Sequence, residues 1–251
     1  MVALRALLAG YDRSSAITLA LLVVGYAGVA AVWNRYIDLS LGMDWLLAGI
    51  WVFMTALLCW GISPRRDLLR AVIGLGGGLY IEAWGTVTNI WWYFTSERPP
   101  VWILPAWPVA AIAIDRLSRA LDRVLPEEDY RWLWWGTLPP FVLTMTMFVW
   151  PYAHEPLTQL SIAAMLAVLI VPGDTRHDVT LMCAGAGLGV FLEYWGTSRH
   201  CWNYYTGAIP PFAAVLAHGF ASVAFQRVAT VIDWVGRAQG WAAIGRLARG
   251  S

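Results

Sequence analysis

Two glutamates, each at the start of an aromatic segment, are the residues of this chain best suited to chemistry. The first segment, YIEAWGTVTNIWWYFTSERPP, covers residues 80–100, and the second, FLEYWGTSRHCWNYYTGAIPP, covers residues 191–211. A carboxylic acid buried among apolar side chains favours its protonated form and can then donate a proton. Glu82 and Glu193 are therefore predicted to be catalytic acids.

Aromatic and polar side chains accompany both acids and are predicted to bind a substrate. Aromatic faces attract cations, including the carbocation that forms when an acid protonates an alkene. Membrane proteins also carry aromatic belts at the interface, but a belt requires no fixed spacing to an acid. The predicted substrate-binding residues are Trp84, Asn89, Trp91, Tyr93 and Trp107 in the first half and Trp195, His200, Trp202, Tyr204 and His218 in the second.

Two other interpretations of the polar residues remain open at this stage. Each glutamate could accept hydrogen bonds from tryptophan and tyrosine donors and so lock the helices together without chemistry. Three histidines, His154, His200 and His218, could converge with Glu155 and Glu193 on a transition metal. The sequence contains no His-x-x-His or Glu-x-x-His pair, so we predict no metal and no cofactor, with His218 a hydrogen-bonded core residue.

The two aromatic segments belong to a longer internal repeat with a constant offset of 111 residues. Self-similarity at a fixed period indicates repeated structural units. We predict a first unit at residues 1–122 and a second at 123–251, the latter with a C-terminal interfacial tail. The offset relates Asp67, Gly74, Gly78, Glu82, Trp84, Gly85, Thr86, Trp91, Tyr93 and Arg116 to Asp178, Gly185, Gly189, Glu193, Trp195, Gly196, Thr197, Trp202, Tyr204 and Arg227.

Composition predicts an all-α integral membrane protein. Of the 251 residues, 59% are hydrophobic and 13% are charged. A membrane-spanning helix needs about 20 mainly apolar residues. Eight stretches qualify, which predicts two parallel four-helix repeats: 16–34, 43–62, 67–86, 100–117, 131–151, 156–172, 178–197 and 210–233.

The distribution of arginine predicts the orientation, because cytoplasmic loops are enriched in basic residues. With the N-terminus inside, fourteen of the seventeen arginines are cytoplasmic, and Arg35, Arg98 and Arg199 lie outside. Both termini are then cytoplasmic, and both aromatic segments lie at the outer face of the inner or plasma membrane. A net charge of +1 without a basic stripe predicts no nucleic-acid partner.

The motif around each glutamate resembles that of the carotenoid hydratase family. Glu82, Gly85, Thr88, Tyr93 and Pro105 match its pattern, as do Glu193, Gly196, Tyr204 and Pro210 in the second copy. Residues 90–92, Ile-Trp-Trp, replace the glycines of that family's aromatic run. A looser similarity is to membrane-embedded lycopene and terpene cyclases. The resemblance implies acid-initiated hydration or cyclisation of a carotenoid or other isoprenoid.

The sequence is also compatible with functions of other classes. A transporter or lipid-binding subunit could use the duplicated halves to move around a central acid. A structural subunit of a larger membrane complex, or a homo-oligomer, would use the aromatic surface for assembly. For the leading hypothesis the expected partners are the membrane and a hydrophobic isoprenoid or lipid substrate.

Overall fold

The computed structural model describes residues 9–33 and 42–247. Three arginines of the orientation argument, Arg5, Arg35 and Arg249, lie outside these residues. The described part contains eight α-helices: α1 Arg13–Trp33, α2 Gly42–Leu58, α3 Pro64–Val87, α4 Ala106–Val124, α5 Arg131–Val149, α6 Pro156–Leu169, α7 Thr175–Ser198 and α8 Phe212–Leu247. Short strands follow α3 and α7, namely β1 Trp91–Tyr93 and β2 Trp202–Tyr204.

The two strands pair antiparallel and join the two aromatic segments. Trp91 lies opposite Tyr204, Trp92 opposite Asn203, and Tyr93 opposite Trp202. Exchanging each residue for its counterpart 111 positions away leaves these pairs unchanged. The backbone bonds beyond the strands are related in the same way, because Phe94 donates to Cys201 at 3.1 Å and Tyr205 donates to Ile90 at 3.0 Å. The pairing therefore has local twofold pseudo-symmetry.

Helices α3 and α4 pack together, α7 and α8 pack together, and α4 also packs on α7. The face that carries the glutamates is internal in both α3 and α7, as the spacing predicts. Gly74, Gly78, Glu82 and Thr86 are all buried, and so are their counterparts in α7. A Cβ at Gly74 would lie 2.9 Å from the Trp107 carbonyl oxygen. Glycine thus permits close contact between the helices.

Four described helical segments are long and apolar enough to cross a membrane: Arg13–Val32, Val101–Val124, Thr175–Ser198 and Phe212–Arg237. Trp45–Leu58 and Pro156–Leu169 are apolar but shorter. Helix α3 contains five charged residues, and α5 contains Pro139 and Pro140 within the helix. Large apolar side chains cover the outer surface; for example, Ile170 is 80% exposed and Trp150 is 72% exposed.

Two helices are longer than the sequence predicts at their ends. Helix α4 continues to Val124 instead of ending near 117. Helix α8 continues to Leu247, so the predicted interfacial tail starts as an extension of the last helix rather than as a separate element. In α4 no proline or glycine interrupts the chain at the end of the apolar run, and the helix continues into more polar sequence. Helix α8 continues through Gly236 and Gly240, because a glycine inside a helix lowers its stability without ending it.

Repeated ion pairs hold the helices together at the end opposite the strands. Arg116 of α4 donates to Asp67 of α3 at 2.7 Å, and Arg227 of α8 donates to Asp178 of α7. The arginine and aspartate side chains of both pairs are largely buried. Because each pair joins the two helices of one hairpin, the same contact fixes the hairpin geometry in both halves.

Candidate functional site

Three donors surround the carboxylate of Glu82 in the first half. Its Oε2 atom accepts hydrogen bonds from the Trp91 indole at 3.1 Å and the Tyr93 hydroxyl at 2.8 Å. Its Oε1 atom accepts from the Trp107 indole at 3.1 Å. Glu82 is 4% exposed, so these donors replace the water that the buried carboxylate would otherwise require.

The carboxylate of Glu193 has a related set of partners in the second half. Its Oε2 atom accepts from the Trp202 indole at 3.0 Å. Its Oε1 atom accepts from the Tyr204 hydroxyl at 2.9 Å and lies 2.9 Å from Nε2 of His218. The strand residues thus repeat their roles, whereas the partner from the following helix changes from tryptophan to histidine.

This change gives the two acids different proton chemistry. An indole N–H can only donate a hydrogen bond, whereas an imidazole nitrogen can donate or accept a proton. Two of the three donors to Glu82, Trp91 and Trp107, are indoles that cannot take up its proton. Glu193 Oε1 and His218 Nε2 lie 2.9 Å apart, which is the geometry that direct proton exchange requires.

The hydroxyl groups of the two strand tyrosines, Tyr93 and Tyr204, donate hydrogen bonds to the carboxylates. Burial, followed by the adjacent Glu82 carboxylate, raises the pKa of the Tyr93 hydroxyl well above its usual range. Burial and the adjacent Glu193 carboxylate have the same effect on the pKa of Tyr204. Both tyrosines consequently remain protonated donors at neutral pH.

Aromatic rings from both halves form one cluster around the acids. Trp91 and Tyr204 have ring centroids 5.9 Å apart, and Tyr93 and Trp202 are separated by the same distance. Trp107 and His218 lie nearly parallel, with centroids 6.2 Å apart. The cluster provides π-faces beside the Glu193–His218 pair, where a cation would be stabilised.

Glycines in α3 and α7 make room for the indoles that bind the acids. A Cβ at Gly85 would lie 2.0 Å from the Trp91 ring, and one at Gly196 would lie 2.0 Å from the Trp202 ring. The repeated Glu-x-x-Gly spacing thus has a packing reason. Each glycine leaves room for the indole ring of the tryptophan in the following strand, which extends back toward the glutamate.

Replacing Gly85 by alanine is therefore expected to destabilise the protein by about 1–3 kcal/mol, because the methyl group must displace the Trp91 ring. Thermal unfolding in detergent should show a lower midpoint than wild type. Gly136→Ala is the matched control, because Gly136 lies within α5 with nothing near its Cβ position, and alanine there should preserve or raise stability. Equal unfolding midpoints for the two variants would contradict this account of the motif.

An apolar cavity of about 580 Å³ lies between the helices and reaches both acids. Nine of the predicted site residues line it: Glu82, Trp84, Trp91, Tyr93, Trp107, Glu193, Trp202, Tyr204 and His218. Its other walls come from α5, α6 and α8, including Phe141, Met145, Met165 and Phe225. Its size is typical of small-molecule sites, whose volumes are about 300–1,000 Å³.

The cavity extends along α3 from the acids to a second polar region. Arg70 lines its far end and lies twelve residues before Glu82, a separation of about 18 Å along the helix. Hydrogen bonds between α3 and α6 flank the cavity, one from Tyr80 to Ser161 at 3.0 Å and one from Trp84 to Thr158 at 3.1 Å. The cavity therefore suits an elongated ligand.

Three predicted site residues do not line the cavity. Asn89 and His200 are exposed and have positive φ values of 60° and 54°. They occupy the turns between helix and strand, where asparagine and histidine are favoured among non-glycine residues. Trp195 lies outside the cavity lining, and its buried indole N–H has no hydrogen-bond partner, in contrast to that of Trp84. These three residues belong to the structure of the aromatic segments and do not line the ligand site.

The histidines do not converge on a common point. His154 lies 3.3 Å from Glu155 on the exposed surface, whereas His200 contacts Asn203 at 2.9 Å. Only His218 of these three lines the cavity. Within residues 9–33 and 42–247, no group of three or more histidine, cysteine or acidic side chains is arranged to hold a metal ion.

Sequence reasoning missed the polar residues at the far end of the cavity, chiefly Arg70 and Asp115. One available signal was the four-residue series in α3, because Arg70 extends the spacing of Gly74, Gly78 and Glu82 by one step. Asp115 had no such signal, since it lies in the middle of α4 beside the repeated Arg116. Comparisons of the chain with protein-family models, with curated proteins and with solved structures find no match.

Proposed function

We propose that this chain is a membrane-embedded enzyme that protonates an isoprenoid or carotenoid bound in the central cavity. The observation that carries the proposal is the Glu193–His218 pair, with 2.9 Å between Oε1 and Nε2, in the wall of an elongated apolar cavity. Such a cavity favours a hydrocarbon chain, and the pair can transfer a proton. The resemblance of both aromatic segments to carotenoid hydratases supports the same chemistry.

The proposed membrane arrangement has eight spans in two parallel four-helix repeats. Four apolar helices and an apolar outer surface support it. The interior position of Glu82 and Glu193 supports it as well, since acids within a membrane face the bundle interior. In the proposed orientation both termini are cytoplasmic, and the strand pair lies near the outer face of the inner or plasma membrane.

The proposed reaction starts when the pair donates a proton to one carbon of an alkene. The neighbouring carbon becomes a cation, which the faces of Trp91, Trp202 and Tyr204 stabilise. In a hydration, water then attacks the cation and returns a proton to the pair. In a cyclisation, a second alkene of the same chain attacks, and loss of a proton to the pair completes an isomerisation.

Turnover in isotopically labelled water tests this proposal. Candidate polyenes and terpenoids would be incubated with the purified protein in D₂O and, separately, in H₂¹⁸O. Deuterium on carbon in the product is the expected result of alkene protonation. Incorporation of ¹⁸O identifies a hydratase, and its absence with deuterium present identifies a cyclase. A product without deuterium on carbon, or no product from any polyene or terpenoid, contradicts the proposal.

A transporter or lipid-binding subunit is the second candidate. The observation that favours it is the position of both acids on one cavity, beside a strand pair with local twofold pseudo-symmetry. Such an arrangement would allow the halves to move around a protonatable centre. Proton-dependent flux into vesicles that is lost in Glu193→Gln would favour transport over catalysis.

A further inference from the structure

Arg70 and Asp115 line the far end of the cavity, and two further arginines outside the lining, Arg66 and Arg119, contact the same aspartate. Asp115 Oδ1 accepts from Arg66 at 2.7 Å and from Arg70 at 3.1 Å, and its Oδ2 accepts from Arg119 at 3.0 Å. Arg70 and Asp115 are 8% and 2% exposed. The next acid that acts on Arg70 is Asp233, which is exposed. Three guanidinium groups thus surround one buried carboxylate.

This cluster is not part of the repeated framework. The counterparts of Arg66, Arg70, Asp115 and Arg119 at the 111-residue offset are His177, Leu181, Gln226 and Thr230. In contrast, the Asp67–Arg116 pair recurs as Asp178–Arg227 and joins the helices of each hairpin. Because the repeated pairs already serve that structural role, the charges found in one half alone indicate a separate function.

Arg70 also has a partner that suits anion binding. Its Nη2 atom donates to the side-chain oxygen of Gln226, and both residues line the cavity. An arginine presents several N–H groups in a planar fork that matches a phosphate or carboxylate, and the Gln226 amide can donate further hydrogen bonds. The walls between Arg70 and the glutamates are mainly apolar, with Ile73, Ile81 and Ala110 among them.

We propose that Arg70, assisted by Gln226, binds the anionic head group of a single-chain isoprenoid lipid whose tail extends toward His218. The head group is a phosphate or a carboxylate. The assignment of the tail as an isoprenoid rests on the proposed function. The distance of about 18 Å along α3 exceeds half of the roughly 30 Å hydrocarbon core of a bilayer. The ligand would therefore lie lengthwise in the bundle, with its head near the cytoplasmic face.

Binding of farnesyl phosphate and of farnesol to the protein in non-ionic detergent tests this inference. Wild type is expected to bind the phosphate about tenfold or more tightly than the alcohol, because hydrogen bonds to a charged group are stronger than those to a neutral one. Arg70→Gln should lose this preference while its affinity for farnesol stays unchanged, and Arg70→Lys should retain part of it. Arg131→Gln is the control, because Arg131 pairs with Asp129 on the exposed surface.

Several results would overturn the inference. They are equal affinities of wild type for the two probes, an intact phosphate preference in Arg70→Gln, and displacement of farnesyl phosphate by inorganic phosphate alone at similar concentration. The last result would assign the site to free phosphate. Farnesol binding reports whether Arg70→Gln is folded. A phosphate preference in wild type without turnover in labelled water would leave the head-group site supported and the proposed reaction rejected.

Discussion

Replacing Glu193 by glutamine is expected to reduce turnover about 10²–10⁴-fold, the usual contribution of a general acid or base, while the protein still folds. The glutamine carbonyl can accept from Trp202, and the two hydrogens of its NH₂ group can be donated to the Tyr204 oxygen and to Nε2 of a neutral His218. Each of the three partners of Glu193 thus keeps a hydrogen bond, but no proton can be transferred. Turnover and the thermal unfolding midpoint, measured on one preparation, check both parts of this prediction.

Glu82→Gln is the matched comparison and is expected to behave differently. Each oxygen of Glu82 accepts from an indole, either Trp91 or Trp107, so a glutamine NH₂ must face an N–H group in either orientation. A buried donor without an acceptor costs about 1–3 kcal/mol, so this variant should be less stable. Unchanged turnover in Glu193→Gln, or equal stability of the two variants, would contradict the assignment of different roles.

His218→Trp separates the proton transfer from the hydrogen bonding to Glu193. It introduces the residue that occupies the equivalent position in the first half, where Trp107 packs on Gly78 as His218 packs on Gly189. The indole can donate to Glu193 but cannot take part in proton exchange. Loss of turnover with retained folding is expected, whereas near-normal turnover would exclude His218 from the reaction.

Introducing phenylalanine at Gly76 is expected to block the cavity and reduce ligand binding at least tenfold. Gly76 lines the cavity on α3 between Arg70 and Glu82, and nothing lies within 4 Å of its Cβ position. The phenylalanine ring would not displace any neighbouring side chain at its Cβ position. Phenylalanine also has a higher helix propensity than glycine. It would occupy the space of the hydrocarbon chain. Binding of farnesol to the purified variant measures the effect.

Gly187→Phe is the control that the repeat provides. Gly187 is the counterpart of Gly76 on α7 and is equally unobstructed, but it does not line the cavity. The Gly187→Phe variant should therefore bind farnesol with the affinity of wild type. Equal binding by Gly76→Phe and Gly187→Phe would show that the ligand does not occupy this cavity.

Much of the helical framework was predictable because its determinants are local. Apolar length predicts helices in all eight regions, and four-residue spacing predicts the buried face of Gly74, Gly78 and Glu82. The pairing of Trp91 with Tyr204 was not predictable, since it joins segments more than 100 residues apart. The C-terminal ends of α4 and α8 were also not predicted. The length of an apolar stretch indicates a membrane span, but it does not indicate where the helix ends.

The site was predictable where the repeat preserved it. Constant spacing identified Glu82 with Trp91 and Tyr93, and these contacts exist in the structure. Asn89 and His200 occupy equivalent positions at the same offset, but both lie in turns with positive φ and do not line the cavity. The unequal roles of Trp107 and His218 appear only in three dimensions, since each is twenty-five residues from the glutamate that it contacts.

Mass spectrometry of an organic extract from the detergent-purified protein, with its visible absorption spectrum, tests the central claim most directly. Wild type and Gly187→Phe are predicted to contain a terpenoid or polyene at about one molecule per chain, and Gly76→Phe is predicted to contain none. Bulk phospholipid alone in all three extracts, with no chromophore and no terpenoid, would contradict an isoprenoid ligand in this cavity.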